Sequence, residues 1–191
     1  MTIQTSKSSY FSGQLLVAMP TMPDPRFAQT VIYICAHNED GAMGLIINRA
    51  MEEVTFPDLL EQLGIELLDP RAAIRVHSGG PVEVERGFVL HSPDYVHEST
   101  LVVDGQVALT ATVDIVKAIA EGRGPEKRLL TLGYAGWGPG QLDNEILENG
   151  WLSVNASPEI VFGLNPDSKW EDALHSMGID ALMLSEDAGH A

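Results

Sequence analysis

The chain has 191 residues, 45% hydrophobic and 20% charged; that length closes one core burying roughly 70% of the unfolded surface, and that composition excludes a mostly disordered chain. Its 27 acidic residues against 11 basic ones give a formal charge of −16, a field that repels phosphate backbones and argues against direct nucleic-acid binding. The lone cysteine, Cys35, excludes an intramolecular disulfide and a cysteine-rich zinc site and fits a reducing cytoplasm, and no apolar run reaches the length of a membrane span.

Residues 1–10 read as a flexible arm, 11–184 as a single domain and 185–191 as a frayed tail. Residues 13–18 form a first strand that ends in the proline-rich segment 19–25. Two β-branched runs, 30–37 and 44–48, flank Asn38-Glu39-Asp40-Gly41-Ala42-Met43 and predict a hairpin. The first run is apolar on both sides, with Val31, Tyr33 and Cys35 alternating against Ile32, Ile34 and Ala36, which predicts a central strand. Thr55-Phe56-Pro57-Asp58 has the pattern of a capping box for a helix carrying Leu59, Leu60 and Leu63 and ending at Gly64.

Strands are predicted at 73–77, 87–91 and 100–109, the last folded back at Asp104-Gly105. A helix from Val113 places Ile115, Val116 and Ile119 on one stripe and ends at Gly122. Residues 128–134 return as a strand into Gly133-Tyr134-Ala135-Gly136-Trp137-Gly138-Pro139-Gly140-Gln141, a glycine-rich loop opening a helix with Pro139 in its first turn and Leu142 and Ile146 at i,i+4. A final strand at 151–154 precedes a last helix, capped at Ser168, whose Trp170, Leu174 and Met177 share a face before Gly178. Hairpins mixed with helix-separated strands predict an α+β fold with a mixed sheet.

Several segments together resemble the AlgH/YqgE family of small bacterial proteins. They are Gly13-Gln14-Leu15-Leu16-Val17-Ala18-Met19-Pro20, Gly41-Ala42-Met43-Gly44-Leu45-Ile46-Ile47-Asn48, Gly79-Gly80-Pro81-Val82 with Arg86-Gly87-Phe88-Val89-Leu90-His91, and Gly133-Tyr134-Ala135-Gly136-Trp137 through Gln141-Leu142 to Glu145. The resemblance runs from about Phe11 to Gly178. It implies a single-domain α+β fold whose mixed, partly barrel-like β-sheet is flanked by helices. It carries no established catalytic residues, and the family's label, transcriptional regulator, comes without a mechanism.

Glycine lets backbone approach a ligand closely, and N–H groups at a helix entrance attract anions. Gly136, Trp137, Gly138, Gln141 and Glu145 are therefore candidate ligand-binding residues, with Trp137 as a stacking wall. Ser78-Gly79-Gly80-Pro81 offers a second nest of N–H groups, and if the two loops converge, Asn48 and His77 join Gln141 as polar contributors. The structural alternative is that the glycines make tight corners and Trp137 is core. Asp143 and Glu145, in the first helical turns, satisfy the helix dipole themselves.

No metal site and no cofactor is predicted: Cys35 and His37 share a strand face, but a second cysteine and an HExxH pattern are missing. Ser78 beside His77 and Ser92 beside His91 point to opposite strand faces, and a GxSxG elbow is absent. The basic residues read as scattered, the densest group being Arg123, Lys127 and Arg128 beside Glu121 and Glu126. The sequence thus points to a cytoplasmic, non-catalytic module that binds a small ligand or a protein partner and acts on regulation indirectly. The alternative is a hydrolase or transferase using the glycine-rich loops as an anion or oxyanion cradle. That alternative requires Asn48, His77, Gln141 and Glu145 to face one point.

Overall fold

A computed structural model describes residues 10–187, in which the β-branched runs supply nine strands and the amphipathic segments six helices. In chain order they are β1 (Gln14–Ala18), β2 (Val31–Asn38), β3 (Gly41–Ile46), α1 (Phe56–Leu63), β4 (Val76–Ser78), β5 (Val82–His91), β6 (Leu101–Val102), β7 (Ala108–Thr110), α2 (Val113–Ala120), β8 (Arg128–Trp137), α3 (Gln141–Leu147), β9 (Trp151–Asn155), α4 (Pro158–Val161), α5 (Lys169–His175) and α6 (Ala181–Asp187). Neighbouring strands run β6-β7-β5-β8-β3-β2-β1-β9, all antiparallel, while β4 lies parallel to β8. The sheet curls into a half-barrel, so the fold is α+β with one mixed, partly barrel-like sheet.

Local chemistry explains most of these elements. Thr55 Oγ1 accepts from Asp58 N while Asp58 Oδ2 accepts from Thr55 N, the reciprocal cap that starts α1. Gly64 ends that helix in the left-handed region. β2 is central, as its two-sided apolar pattern predicts, and its faces feed different cores. Val31, Tyr33 and Cys35 join Leu15, Leu45, Leu90 and Leu174 in one core, while Ile32 and Ile34 join Leu16, Ile46, Trp137 and Trp151 in another. A third core packs Phe56 and Leu60 of α1 and Ile115 and Ile119 of α2 on Val89 and Leu130. Each fully buried Leu or Ile contributes about 1.5–3 kcal/mol.

β8 holds the two halves of the sheet together. Its first half pairs with β5 on one side and β4 on the other; its last residues pair with β3. The change occurs at Gly133, which has φ +77. Opposite it, the backbone of Gly79 and Gly80 lies directly on β8: a Cβ on Gly80 would stand 2.2 Å from the Tyr134 carbonyl carbon, and Gly80 itself has φ +151. Gly79 donates to Leu132 O at 2.7 Å and accepts from Ile46 N at 2.9 Å, so one residue links β8 to the end of β3.

Several expectations need correction. The strand expected over 128–134 continues to Trp137, because β3 pairs with residues 135–137 beyond the pairing of Val82 with Tyr134. The corner is only Gly138-Pro139-Gly140, with Gly140 as N-cap and Pro139 ahead of the helix instead of in its first turn. The strand expected at 73–77 shrinks to β4, because a 3-10 turn, Pro70–Ala72, capped by Asp69, occupies the approach. β5 begins at Val82, earlier than 87, through an irregular register between Val82 and Gly87. α5 does pack Leu174 and the half-buried Trp170 on the core, but Met177 lies beyond the helix end and is exposed, while Ala173 and Lys169, whose Nζ is held by two carbonyls, are buried as well. α4 and α6 are additional. Of the expected arm only Tyr10 is described; of the expected tail, residues 185–187 belong to α6 and 188–191 lie outside the described residues.

Replacing Gly80 by Ala forces a methyl group into the Tyr134 peptide and strains a left-handed backbone, so Gly80→Ala is expected to lower unfolding free energy by about 2–4 kcal/mol. Urea denaturation measures it; a change below about 0.5 kcal/mol, the range of ordinary surface substitutions, contradicts the packing argument.

Candidate functional site

The glycine corner closes on itself. Gly138 N donates to Gln141 Oε1 at 2.9 Å, and Gln141 N donates to Gly138 O at 3.1 Å. The amide proposed to meet a ligand therefore supports the loop, and α3, seven residues long, carries Asp143 in its first turn. An anion here meets few free donors.

What the corner does build is one wall of a cleft of about 550 Å³ between β8, α3 and the loop before β2. Met22, Phe27 and Trp137 line it with Pro81, Gln141 and Glu145. Behind them the rings of Phe27, Trp151 and Trp137 form two edge-to-face contacts, at centroid distances of 5.8 and 6.2 Å. Trp151 Nε1 donates to Glu145 Oε1 at 3.4 Å, while Glu145 Oε2 is buried with no hydrogen-bond partner. Asp24, Glu145 and Glu148 outnumber Arg26 around the cleft, and Arg26 already holds Asp24 at 2.8 Å. Its chemistry is aromatic and acidic.

The other sequence-predicted residues lie elsewhere. Asn48 accepts from Val31 N and donates to Gln29 O, both at 2.9 Å, fastening the entry to β2. It lines other recesses, beside Arg49 and Pro166. The Ser78 and Gly79 N–H groups bond to Arg49 O and Leu132 O, so this turn spans the seam and its Pro81 end alone reaches the aromatic cleft. His77 is buried on another cleft, its Nδ1 3.2 Å from Leu130 O, which fixes Nδ1 as the protonated nitrogen. Burial first, then the charges of Lys169 and Arg75, push its pKa down to about 4. Gln141 and Glu145 thus share a cleft with Gly136 and Trp137, whereas Asn48 and His77 do not.

Other candidate nucleophiles and ligands are engaged as well. Burial pushes the Cys35 thiol up, far from thiolate chemistry. His37 Nδ1 accepts from Phe11 N at 3.0 Å, leaving Nε2–H to face Asp143 Oδ2 at 3.4 Å. His91 uses both nitrogens, on Ser92 O and Thr110 Oγ1, each at 2.8 Å. Among the described residues no three His, Cys, Asp or Glu side chains gather as a metal cage, and no helix is long and apolar enough to cross a membrane.

The basic residues are less scattered than they read in sequence. Chain folding brings Arg71 and Arg75, just before β4, beside Lys127 and Arg128 at the start of β8, in the cleft of about 610 Å³ that His77 floors. Linear spacing of more than fifty residues hid the cluster; the signal that would have found it is the parallel pairing of β4 with β8.

Comparison with known proteins bears on this architecture. The profile described as AlgH-like matches residues 15–182. The chain belongs to the AlgH-like family. A UPF0301 protein of Afipia carboxidovorans is 53% identical to this AlgH-like chain over 98% of it and 93% of the relative. A UPF0301 protein of Rhodospirillum rubrum is 52% identical over 100% and 99% of the two chains. The AlgH protein from Pseudomonas aeruginosa, solved in solution, superposes with a TM-score of 0.79 at 44% identity, covering 99% of this AlgH-like chain and 100% of that one. A Corynebacterium diphtheriae protein, DIP2367, superposes with a TM-score of 0.73 at 20% identity over 91% and 90% of the chains, a likeness of fold alone.

The neutral, buried His77 sets a pH dependence for the AlgH-like fold. Its folded pKa of about 4 lies below the ordinary 6.5, so between those values the unfolded chain binds more protons and stability rises with pH. His91, also lowered by burial, adds in the same direction. His77→Gln is expected to remove on the order of 2–3 kcal/mol of the stability difference between pH 4 and pH 7 in urea titrations. Identical pH slopes in the two proteins contradict the assignment.

Proposed function

We propose that this AlgH-like chain is a cytoplasmic, non-catalytic binding module that takes a small ligand or a partner's side chain into the aromatic cleft and influences regulation indirectly. What supports this most directly is Glu145 Oε2, a buried acceptor without a donor at a cleft walled by Trp137, Phe27 and Met22. A buried, unsatisfied carboxylate oxygen costs stability that an incoming N–H donor restores. The acidic excess of the lining and the nearby aromatic faces favour an occupant with amine or guanidine donors on an apolar body.

Asn48 and His77 stand in recesses apart from Gln141 and Glu145, which deprives the hydrolase or transferase alternative of a common point for nucleophile and oxyanion. The charge of −16 weighs against a grip on duplex DNA and favours a regulatory effect through a ligand or another protein.

Thermal-shift and calorimetric titrations of the chain with arginine, spermidine and a Lys- and Arg-containing peptide test this. Saturable binding that quenches tryptophan emission and weakens about tenfold in Glu145→Gln, a loss typical of one charge-assisted hydrogen bond, is the expected outcome. Turnover of a substrate, or binding indifferent to Glu145→Gln, overturns it.

A further inference from the structure

The basic cleft lies apart from the aromatic one and is independent of the reading above. We infer that it is a binding site for a small organic phosphate. In a chain with 11 basic residues, four of them, Arg71, Arg75, Lys127 and Arg128, line this single recess with only Glu126 as an acid. Arg71 is held by Asp69 at 3.2 Å, and Arg128 gives one guanidinium N–H to Pro125 O at 3.1 Å. Arg75 and Lys127 form no ion pair among the described residues.

A second observation, independent of the surface cations, lies behind the wall. Lys169 is buried at 1% exposure, and its Nζ donates to Ile47 O at 3.0 Å and Val161 O at 2.8 Å with no carboxylate in an ion pair. A Cβ on Gly163, a residue lining the cleft, would stand 3.8 Å from Lys169 Cε. A buried ammonium whose hydrogen-bond partners are neutral carbonyls keeps its net positive charge, which adds to the field behind the cleft wall. The same field reaches His77 on the cleft floor, where Lys169 and Arg75 both oppose its protonation.

The chemistry of the lining selects among anions. Three lining cations that form no ion pair with an acid among the described residues, Arg75, Lys127 and Arg128, match a dianion better than a single carboxylate, and guanidinium forks fit phosphate oxygens. Ile74, Leu129, Phe162 and Leu164 supply an apolar side, with Phe162 half-buried and Leu164 left 95% exposed at the rim, so the phosphate carries an organic body. A volume of about 610 Å³ suits a mononucleotide-sized molecule. A polynucleotide would extend its remaining phosphates over a surface of net charge −16.

Calorimetric titration of the full chain with adenosine monophosphate, inorganic phosphate and adenosine tests the site, beside the double variant Arg75→Gln/Lys127→Gln. Both side chains are exposed, so the variant is expected to keep the parent's circular dichroism and melting temperature. Expected are saturable 1:1 binding of adenosine monophosphate, weaker binding of inorganic phosphate, weaker still of adenosine, and at least about tenfold loss for the nucleotide in the variant, as for removed charge-assisted contacts. No saturable binding of either phosphate compound, undiminished affinity in the folded variant, or tighter binding of a single-stranded oligonucleotide than of the mononucleotide overturns the inference. A variant that unfolds is replaced by Arg75→Lys, which keeps the charge, loses the fork and is expected to weaken the nucleotide more than inorganic phosphate; equal weakening counts against the site. None of these results bears on the aromatic cleft.

Discussion

Backbone meets backbone along the line where Gly79 and Gly80 lie on β8, and the rest of the molecule is arranged around that contact. With Gly79 bonded to Leu132 on one side and Ile46 on the other, two partial sheets become one curled sheet. No side chain fits in the gap, where the nearest atoms to a Cβ on either glycine stand at 2.2–2.3 Å. The contact also directs the chain on each side of it. Upstream, His77 and β4 run beside the start of β8 and bring Arg71 and Arg75 to Lys127 and Arg128; downstream, Pro81 and Val82 turn toward Trp137 and α3.

The two clefts therefore draw on chain from before and after one seam and carry opposite polarity. One offers aromatic rings and surplus carboxylates, the other guanidinium and ammonium groups backed by a buried lysine. In a chain of charge −16, gathering cations in one recess concentrates their field where low-dielectric walls strengthen it. Behind that recess Lys169 ties the fold together, since its two carbonyl contacts join α4 and the end of β3 to α5.

Much of this architecture was legible in the residues themselves. The two-sided apolar run 31–36 identified a central strand, Thr55 and Asp58 announced a capped helix, and Asp104-Gly105 marked the turn between β6 and β7. The AlgH/YqgE resemblance supplied the barrel-like curl, which no local pattern encodes. What stayed hidden depends on contacts distant in sequence. Beyond Tyr134 the glycine-rich run reads as a loop because glycine is a poor strand former, yet pairing with β3 keeps 135–137 extended and Gly133 serves close approach instead. Nothing in the sequence marks Lys169 as a core residue, because lysine is seldom fully buried; the carbonyls of Ile47 and Val161 hold it there. Grouping Asn48, His77 and Gln141 assumed that two glycine-rich segments meeting in space share a cavity. They do meet, but as packed backbone, and the cavities nearby have separate linings.

If the glycine seam is the element on which everything else depends, its hydrogen bonds open only when the whole molecule does. Native-state amide exchange followed by NMR reads this at Gly79 N–H and Ile46 N–H. Both are expected to exchange with opening free energies within about 1 kcal/mol of global unfolding, alongside the central amides of β2. Exchange at Gly79 through a local opening several kcal/mol cheaper than global unfolding would contradict the account.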